Sequence, residues 1–445
     1  MTTTDDARNK LALRALTSGM TRGRLHPAWL VAATAFVALV GAAGFRAAPG
    51  ALFVPLHEEF GWSTSVMSLA VSLNLLLYGL TAPFAAALMD KFGIRTVTTV
   101  ALLMVSLGSG LTVFMTESFQ LLITWGVLIG LGTGSMAMVF AATIANRWFV
   151  ERRGLVMGIL TAGGATGQLV FLPIVAALAE SVGWRTASLV IAGSALAVVP
   201  LVIRFIGDFP EDRQLTPYGA ADDWVPPARE TGGSAKRAID ALRWAAHYPS
   251  FWALAAAFAI CGATTNGLVG IHFIPAAHDH GLPETTAAGL LAVVGIFDIA
   301  GTIASGWFTD RYDPRILLVA YYAFRGVGLV LLPSLLAQSV RPSIVLFVII
   351  YGLDWVATVP PTVALCREIF GERGTIVFGW VFASHQIGAA IAAFVAGVIR
   401  DSTGSYTLAW VGGAGLCAIA ALLSWIIGSA DTRESKRRML APVPM

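Results

Sequence analysis

The chain has 445 residues, of which 56% are hydrophobic and only 12% charged, against roughly 25% charged in a soluble domain. That shortage of charge excludes an ordinary soluble globular protein and points to the lipid bilayer as the chain's partner. The net charge of +3 says little by itself, because the information lies in where the charges fall, and no nucleic-acid partner is expected.

A bilayer core needs about 20 mostly apolar residues per helix, and twelve such stretches follow one another along the sequence. A polar tail, 1–27, carries Arg8, Lys10, Arg14, Arg22 and Arg24. The apolar run after it is a full span rather than a short signal-peptide core, so it is expected to be retained. Six spans are predicted near 28–56, 65–88, 96–115, 119–146, 155–179 and 185–206. A polar connection over 207–248, rich in Pro, Gly and Arg, reads as a solvated linker that includes the acids Asp208, Glu211, Asp212, Asp222, Asp223, Glu230 and Asp240. Six more spans follow near 250–276, 285–308, 316–337, 342–366, 375–399 and 405–428, before a tail at 429–445. The organisation is therefore two six-helix bundles, 28–206 and 249–428, in an all-α membrane protein.

Cytoplasmic loops are enriched in Lys and Arg. Of the 29 basic residues, only Arg185, Arg341 and Arg400 fall by loops that face outward if the N-terminus is inside, while Arg46 and Arg325 lie within spans. Both termini are thus expected in the cytoplasm. The halves also repeat: Asp90 and Arg95 between spans 2 and 3 return as Asp310 and Arg315 between spans 8 and 9. Arg147 with Arg153-Gly154 returns as Arg367 with Arg373-Gly374, and every pair is offset by 220 residues. Two matches at one offset indicate duplicated halves of the kind that build secondary transporters.

The loops Asp90 to Arg95 and Asp310 to Arg315 resemble the signature cytoplasmic loop of the major facilitator superfamily. The stretch Arg147-Trp148-Phe149-Val150-Glu151-Arg152-Arg153-Gly154-Leu155, followed by Gly158, Ala162, Gly163 and Gly167, is similar to the span 4–5 signature of monocarboxylate transporters and their prokaryotic relatives. Gly44-Phe45-Arg46 with Pro49, and Phe60-Gly61-Trp62-Ser63, resemble the first span and outer loop of the prokaryotic branch. The resemblance implies the major facilitator fold in a bacterial cytoplasmic membrane, and a gating role for Asp90, Arg95, Asp310, Arg315, Arg152 and Arg153. Three features of the better-known members are absent: Gly50 follows Pro49 where they carry lysine, Thr302 follows Asp298 where they carry arginine, and the first span opens on His26-Pro27-Ala28-Trp29. A lactate-like substrate is therefore not implied.

A charge at mid-membrane costs roughly 2.5–3.5 kcal/mol on insertion scales, and four are predicted there: Arg46, Asp298, Arg325 and Asp354. On the functional reading, Arg46 and Arg325 bind a carboxylate through paired hydrogen bonds while Asp298 and Asp354 take a coupling proton. On the alternative, the four are buried ion pairs holding helices together, with Arg325 joined to Asp354 if span 9 lies peripherally. Asn74, Tyr78, Gln168, Asn266 and His385 are further candidates for a polar path. His272, His278 and His280 cluster toward the outer end of span 7, where they could relay protons or simply bond across helices. Gly126, Gly130 and Gly134 read as close helix packing.

No zinc-binding helix, nucleophile elbow or phosphate loop is present in the sequence, so neither an enzyme, a cofactor nor a metal is expected. Cys261, Cys366 and Cys417 sit in apolar stretches, where a thiol behaves as a small hydrophobe. The leading expectation is a secondary transporter of a small organic anion, a carboxylate, working by alternating access and coupled to protons or to a counter-anion. The alternative is proton-coupled efflux of drug-like or cationic compounds.

Overall fold

A computed structural model of the chain describes residues 26–136, 138–221, 223–226 and 233–427. The basic clusters of the two tails, and Asp222 and Glu230 of the connection, lie outside the described residues. Twelve helices are long and apolar enough to cross a membrane: spans 1–6 are Pro27–Phe60, Thr64–Phe92, Ile94–Phe114, Ser118–Trp148, Arg153–Ser181 and Trp184–Phe205. Spans 7–12 are Pro249–Asp279, Glu284–Thr309, Pro314–Leu335, Pro342–Phe370, Gly374–Thr403 and Thr407–Ile426. Several run longer than hydropathy indicates, because helix geometry persists past the apolar core until a cap stops it. Span 1 stops at Gly61, whose φ of +67° suits glycine, and span 2 starts where the Ser63 hydroxyl accepts from Val66 N–H at 3.4 Å.

The exterior is apolar. Phe324, Leu422 and Trp425 are each 64% exposed, the inverse of a soluble surface and the requirement of one facing lipid.

Spans 1, 4, 7 and 10 are each interrupted. Span 1 breaks at Ala48 and restarts at Pro49, and span 7 passes through a π-helical stretch at Ala263–Val269. Span 4 breaks around Met136, and span 10 turns between Asp354 and Val359. The 220-residue offset of the loop motifs carries Ala48 to Leu268 and Met136 to Val356, so the interruptions belong to the repeat. Broken helices at mid-membrane leave backbone groups that only protein or a wet cavity can satisfy.

Span 2 and span 11 form the main seam between the bundles. The Ser72 hydroxyl donates to Ala390 O at 2.7 Å, and Tyr78 meets Phe382 as Phe84 meets Trp380. Span 4 approaches span 2 through the predicted glycines. A Cβ on Gly130 would stand 3.0 Å from Asn74 Cα, and one on Gly134 would stand 2.9 Å from Tyr78 Cα, so these glycines set the position of two cavity residues.

The connection between bundles is not the wholly solvated linker expected from its composition. Helix Ser234–Ala245 buries Ala238, Ala241 and Ala245, and Trp380 Nε1 donates to Ala238 O at 2.8 Å. Trp244 packs on Tyr248 and Phe370. Upstream, Tyr218 N–H donates to Trp148 O at 2.9 Å and Val150 N–H donates to Tyr218 O at 2.8 Å. The docking stripe is alanine, one turn apart, and the charged residues Lys236 and Arg237 before it and Asp240 and Arg243 between its members make the segment read as polar.

Candidate functional site: a central cavity between the bundles

A cavity of about 870 Å³ lies between the bundles and draws its walls from both. It reaches Gly154 and Leu155 at the start of span 5 and Ile303 late in span 8, and so extends toward the face that carries the connection, here termed the linker side. The far side is sealed. The Asp401 carboxylate accepts from Thr64 N–H at 3.1 Å and Ser65 N–H at 2.8 Å, capping span 2 from the opposite bundle. A Cβ on Gly50 would stand 2.8 Å from Ile271 O, and Phe53 meets the His272 ring at 6.0 Å.

On the first-bundle wall, Arg46 lies at the end of the first segment of span 1, just before the break at Ala48. Its Nη1 donates to the Tyr78 hydroxyl at 3.4 Å, and its guanidinium stands 4.8 Å from the Tyr78 ring centroid. Among the described residues no carboxylate is within ion-pair distance of Arg46, and the side chain is exposed to the cavity. A pouch of about 90 Å³ between spans 1, 4 and 5 continues past it, bounded by Thr133, Met136 and Thr161. Asn74 and Gln168 also line the cavity. Asn74 Nδ2 is already committed, donating to Trp125 O at 2.7 Å.

The second-bundle wall uses its charges differently. Arg325 and Asp354 do not line the central cavity; they form a buried pair, Nε to Oδ2, at 2.6 Å. Arg325 Nη2 also donates to Asp354 O at 2.7 Å, and Nη1 donates to the Cys261 sulfur at 3.0 Å. Arg325 thus closes the C-terminal end of helix Pro342–Asp354, whose last carbonyls have no intrahelical donors. Asp298 does line the cavity, and its Oδ1 accepts from Val356 N–H at 3.2 Å and from the Thr302 hydroxyl at 3.2 Å. The break in span 10 is therefore splinted from both directions, by an acid on the freed N–H and a guanidinium on the freed carbonyl. Of the two arginines expected to meet substrate, Arg325 is taken up by this splint and only Arg46 faces open space.

His385 and Asn266 line the cavity as predicted for a polar path. His272 instead donates from Nε2 to Ala393 O at 2.9 Å and pairs with the Tyr406 hydroxyl at 3.4 Å, bridging spans 7, 11 and 12. Among the described residues no group of His, Cys, Asp or Glu could hold a metal. Phe258, Cys261, Thr265, Trp355, Phe382 and Gln386 also border the cavity and were not among the residues expected there from the sequence. Only Gln386, next to His385, carried a usable signal; a phenylalanine on a cavity wall looks like one facing lipid.

The model for the Major Facilitator Superfamily matches residues 34–378 and 261–441. The chain belongs to the Major Facilitator Superfamily. It is 27% identical over 388 residues to monocarboxylate transporter 13 of Rattus norvegicus, covering 86% of this chain and 85% of that one. It is 25% identical over 386 residues to YcxA, an uncharacterized MFS-type transporter of Bacillus subtilis, covering 85% and 90%. Among solved structures, a D-xylose-proton symporter aligns with a TM-score of 0.70 at 13% identity, over 89% of this chain and 97% of that one. The nucleoside transporter NupG aligns with a TM-score of 0.71 at 10% identity, over 91% and 100%. At those identities the structural likeness concerns the fold alone. The family and these relatives are transporters, and the chain is an integral membrane protein that carries small organic molecules.

The superfamily loops hold helix ends together within each bundle. Arg147 pairs with Asp90 at 2.6 Å. Arg95 Nε donates to Ile206 O at 2.7 Å, and Arg315 Nε donates to Ile427 O at 2.8 Å, the same bond in each repeat. Other partners differ. Asp208 accepts from Arg95 N–H at 3.0 Å, whereas Arg315 pairs with Glu368 at 2.7 Å and Asp310 is exposed. Arg153 Nε donates to Phe149 O, and Arg152 adopts a left-handed φ of 59° with its guanidinium 6.0 Å from the Tyr218 ring.

Proposed function

We propose that this transporter moves a small organic anion, a carboxylate, by alternating access of its two bundles, linked to protons or by exchange with a counter-anion. The observation that carries the reading is Arg46: a guanidinium at mid-membrane, exposed to the cavity, with no ion-pair partner among the described residues. An intramembrane charge is costly unless satisfied, and a planar carboxylate satisfies a guanidinium with two parallel hydrogen bonds. Tyr78 beneath it supports one face. Asn74, Gln168, Asn266 and His385 supply the remaining polar contacts in this reading.

Asp298 is the carboxylate that borders the same cavity, and it is the group proposed to take the coupling proton; Asp354, held by Arg325, supports the helix break that presents it. With both termini in the cytoplasm of a bacterial cell, as the distribution of Lys and Arg favours, the cavity faces inward. The loop groups Asp90, Arg95, Asp310, Arg315, Arg152 and Arg153 then gate by holding each bundle's helix ends as the bundles rock.

Uptake into proteoliposomes of a panel of labelled carboxylates, with and without an imposed pH gradient, tests the reading. Arg46-dependent uptake of at least one carboxylate is expected. Uptake confined to cations, or export of drug-like compounds alone, would overturn it.

A further inference from the structure

The cavity wall beside Arg46 is aromatic and continuous across the seam between the bundles. From the Arg46 guanidinium the path runs 4.8 Å to Tyr78, then 6.2 Å, edge to face, to Phe382 of span 11. Phe382 stacks on His385 at 5.9 Å with ring planes 6° apart, and His385 meets Phe258 of span 7 at 4.9 Å. All of these residues line the cavity.

At the end of this path two polar atoms have no partner among the described residues, His385 Nδ1 and Gln386 Oε1. The two residues are 8% and 1% exposed. Buried polar atoms without partners are costly to keep; both atoms are closed off here, although their residues line the cavity, and a turn of either side chain would bring the atom to it. A two- or three-carbon acid would engage Arg46 and leave both the rings and these atoms unused in a space of about 870 Å³.

We propose that the cargo is an aromatic carboxylate, with its carboxylate on Arg46 and its ring against Phe382, the partly exposed ring of this wall, which His385 and Phe258 back from behind. The proposal rests on the anion reading of Arg46. Rings at these spacings favour offset or edge-to-face contact with a further ring, and one such contact raises affinity roughly three- to tenfold beyond equal apolar burial.

Uptake of labelled phenylacetate, in competition with unlabelled phenylacetate, hexanoate and benzyl alcohol, provides the test. Phenylacetate should compete at a concentration roughly three- to tenfold below hexanoate, and the neutral alcohol should compete weakly. Phe382→Leu should bring phenylacetate and hexanoate within about twofold of each other while labelled hexanoate is still carried. Equal competition by phenylacetate and hexanoate in the unmodified protein overturns the aromatic proposal and leaves the anion reading standing, and so does a Phe382→Leu variant that keeps the full preference. If no carboxylate of any kind is carried, the anion reading fails and the proposal fails with it.

Discussion

The two walls of the cavity carry mid-membrane charge in opposite ways. On the first-bundle wall one arginine, Arg46, projects into open space with a tyrosine for support. On the second, Asp298, Arg325 and Asp354 are bound into the broken backbone of span 10. A buried charge already satisfied by backbone and by its counter-charge has little left to offer a ligand, whereas an unpaired one keeps its full demand for a partner. The Arg325–Asp354 pair holds the cavity in shape, Arg46 stands open to cargo, and Asp298 both supports the break and borders the cavity where the proposed coupling proton would be taken.

The largest expected effect comes from breaking the splint. Arg325→Ala or Asp354→Ala leaves its partner stranded and should cost about 3–5 kcal/mol, read as a collapse of thermal stability in detergent. The paired replacement Arg325→Met with Asp354→Leu should recover most of that loss. If the single variants unfold at the wild-type temperature, the second wall is not structural. A smaller change, Asp298→Asn, keeps an oxygen to accept from Val356 N–H, so folding should survive while the response of uptake to a pH gradient disappears; retention of that response would move the coupling proton elsewhere.

Sealing of the far side can be tested separately. Asp401→Ala removes a capping carboxylate from span 2 and should shift the balance of states by about 0.5–2 kcal/mol toward the opening on that side. All three native cysteines are buried, so labelling of a single Phe53→Cys probe should rise; unchanged labelling would show that the cap does not hold the seal. The mildest effect is expected at Asp90→Asn, where the pair with Arg147 is part-exposed and worth about 0.2–1 kcal/mol. Transport rate should fall slightly with stability little changed, as comparison of uptake and thermal unfolding would reveal.

Much of this architecture was legible before any coordinates. Runs of apolar residues mark membrane spans because lipid allows few alternatives, and the Asp90/Arg95 and Asp310/Arg315 motifs registered the two halves. Arg46 stood out for the same reason, as a charge inside an apolar run. The pairing of Arg325 with Asp354 was legible only as one of two alternatives, because hydropathy does not say which way a helix is rotated, and packing shows that the guanidinium meets Asp354 and the end of a broken helix. Pro360 and Pro361 lie just after the interruption near Val356, but its repeat partner at Met136 has no proline beside it. The docked helix Ser234–Ala245 escaped notice because alanine contacts leave a weak pattern among charged neighbours. The aromatic path from Tyr78 to Phe258 was hidden because a ring facing a cavity and a ring facing lipid are the same letter.

The central claim is that a single guanidinium on the first wall binds the cargo. Equilibrium binding of labelled phenylacetate to purified protein, compared between the wild type, Arg46→Gln and Arg46→Lys, tests it most directly. Loss of a charged, bidentate contact should weaken binding about 10- to 100-fold in Arg46→Gln, with partial recovery in Arg46→Lys and an unchanged unfolding temperature in both. Binding by Arg46→Gln at wild-type strength would contradict the account.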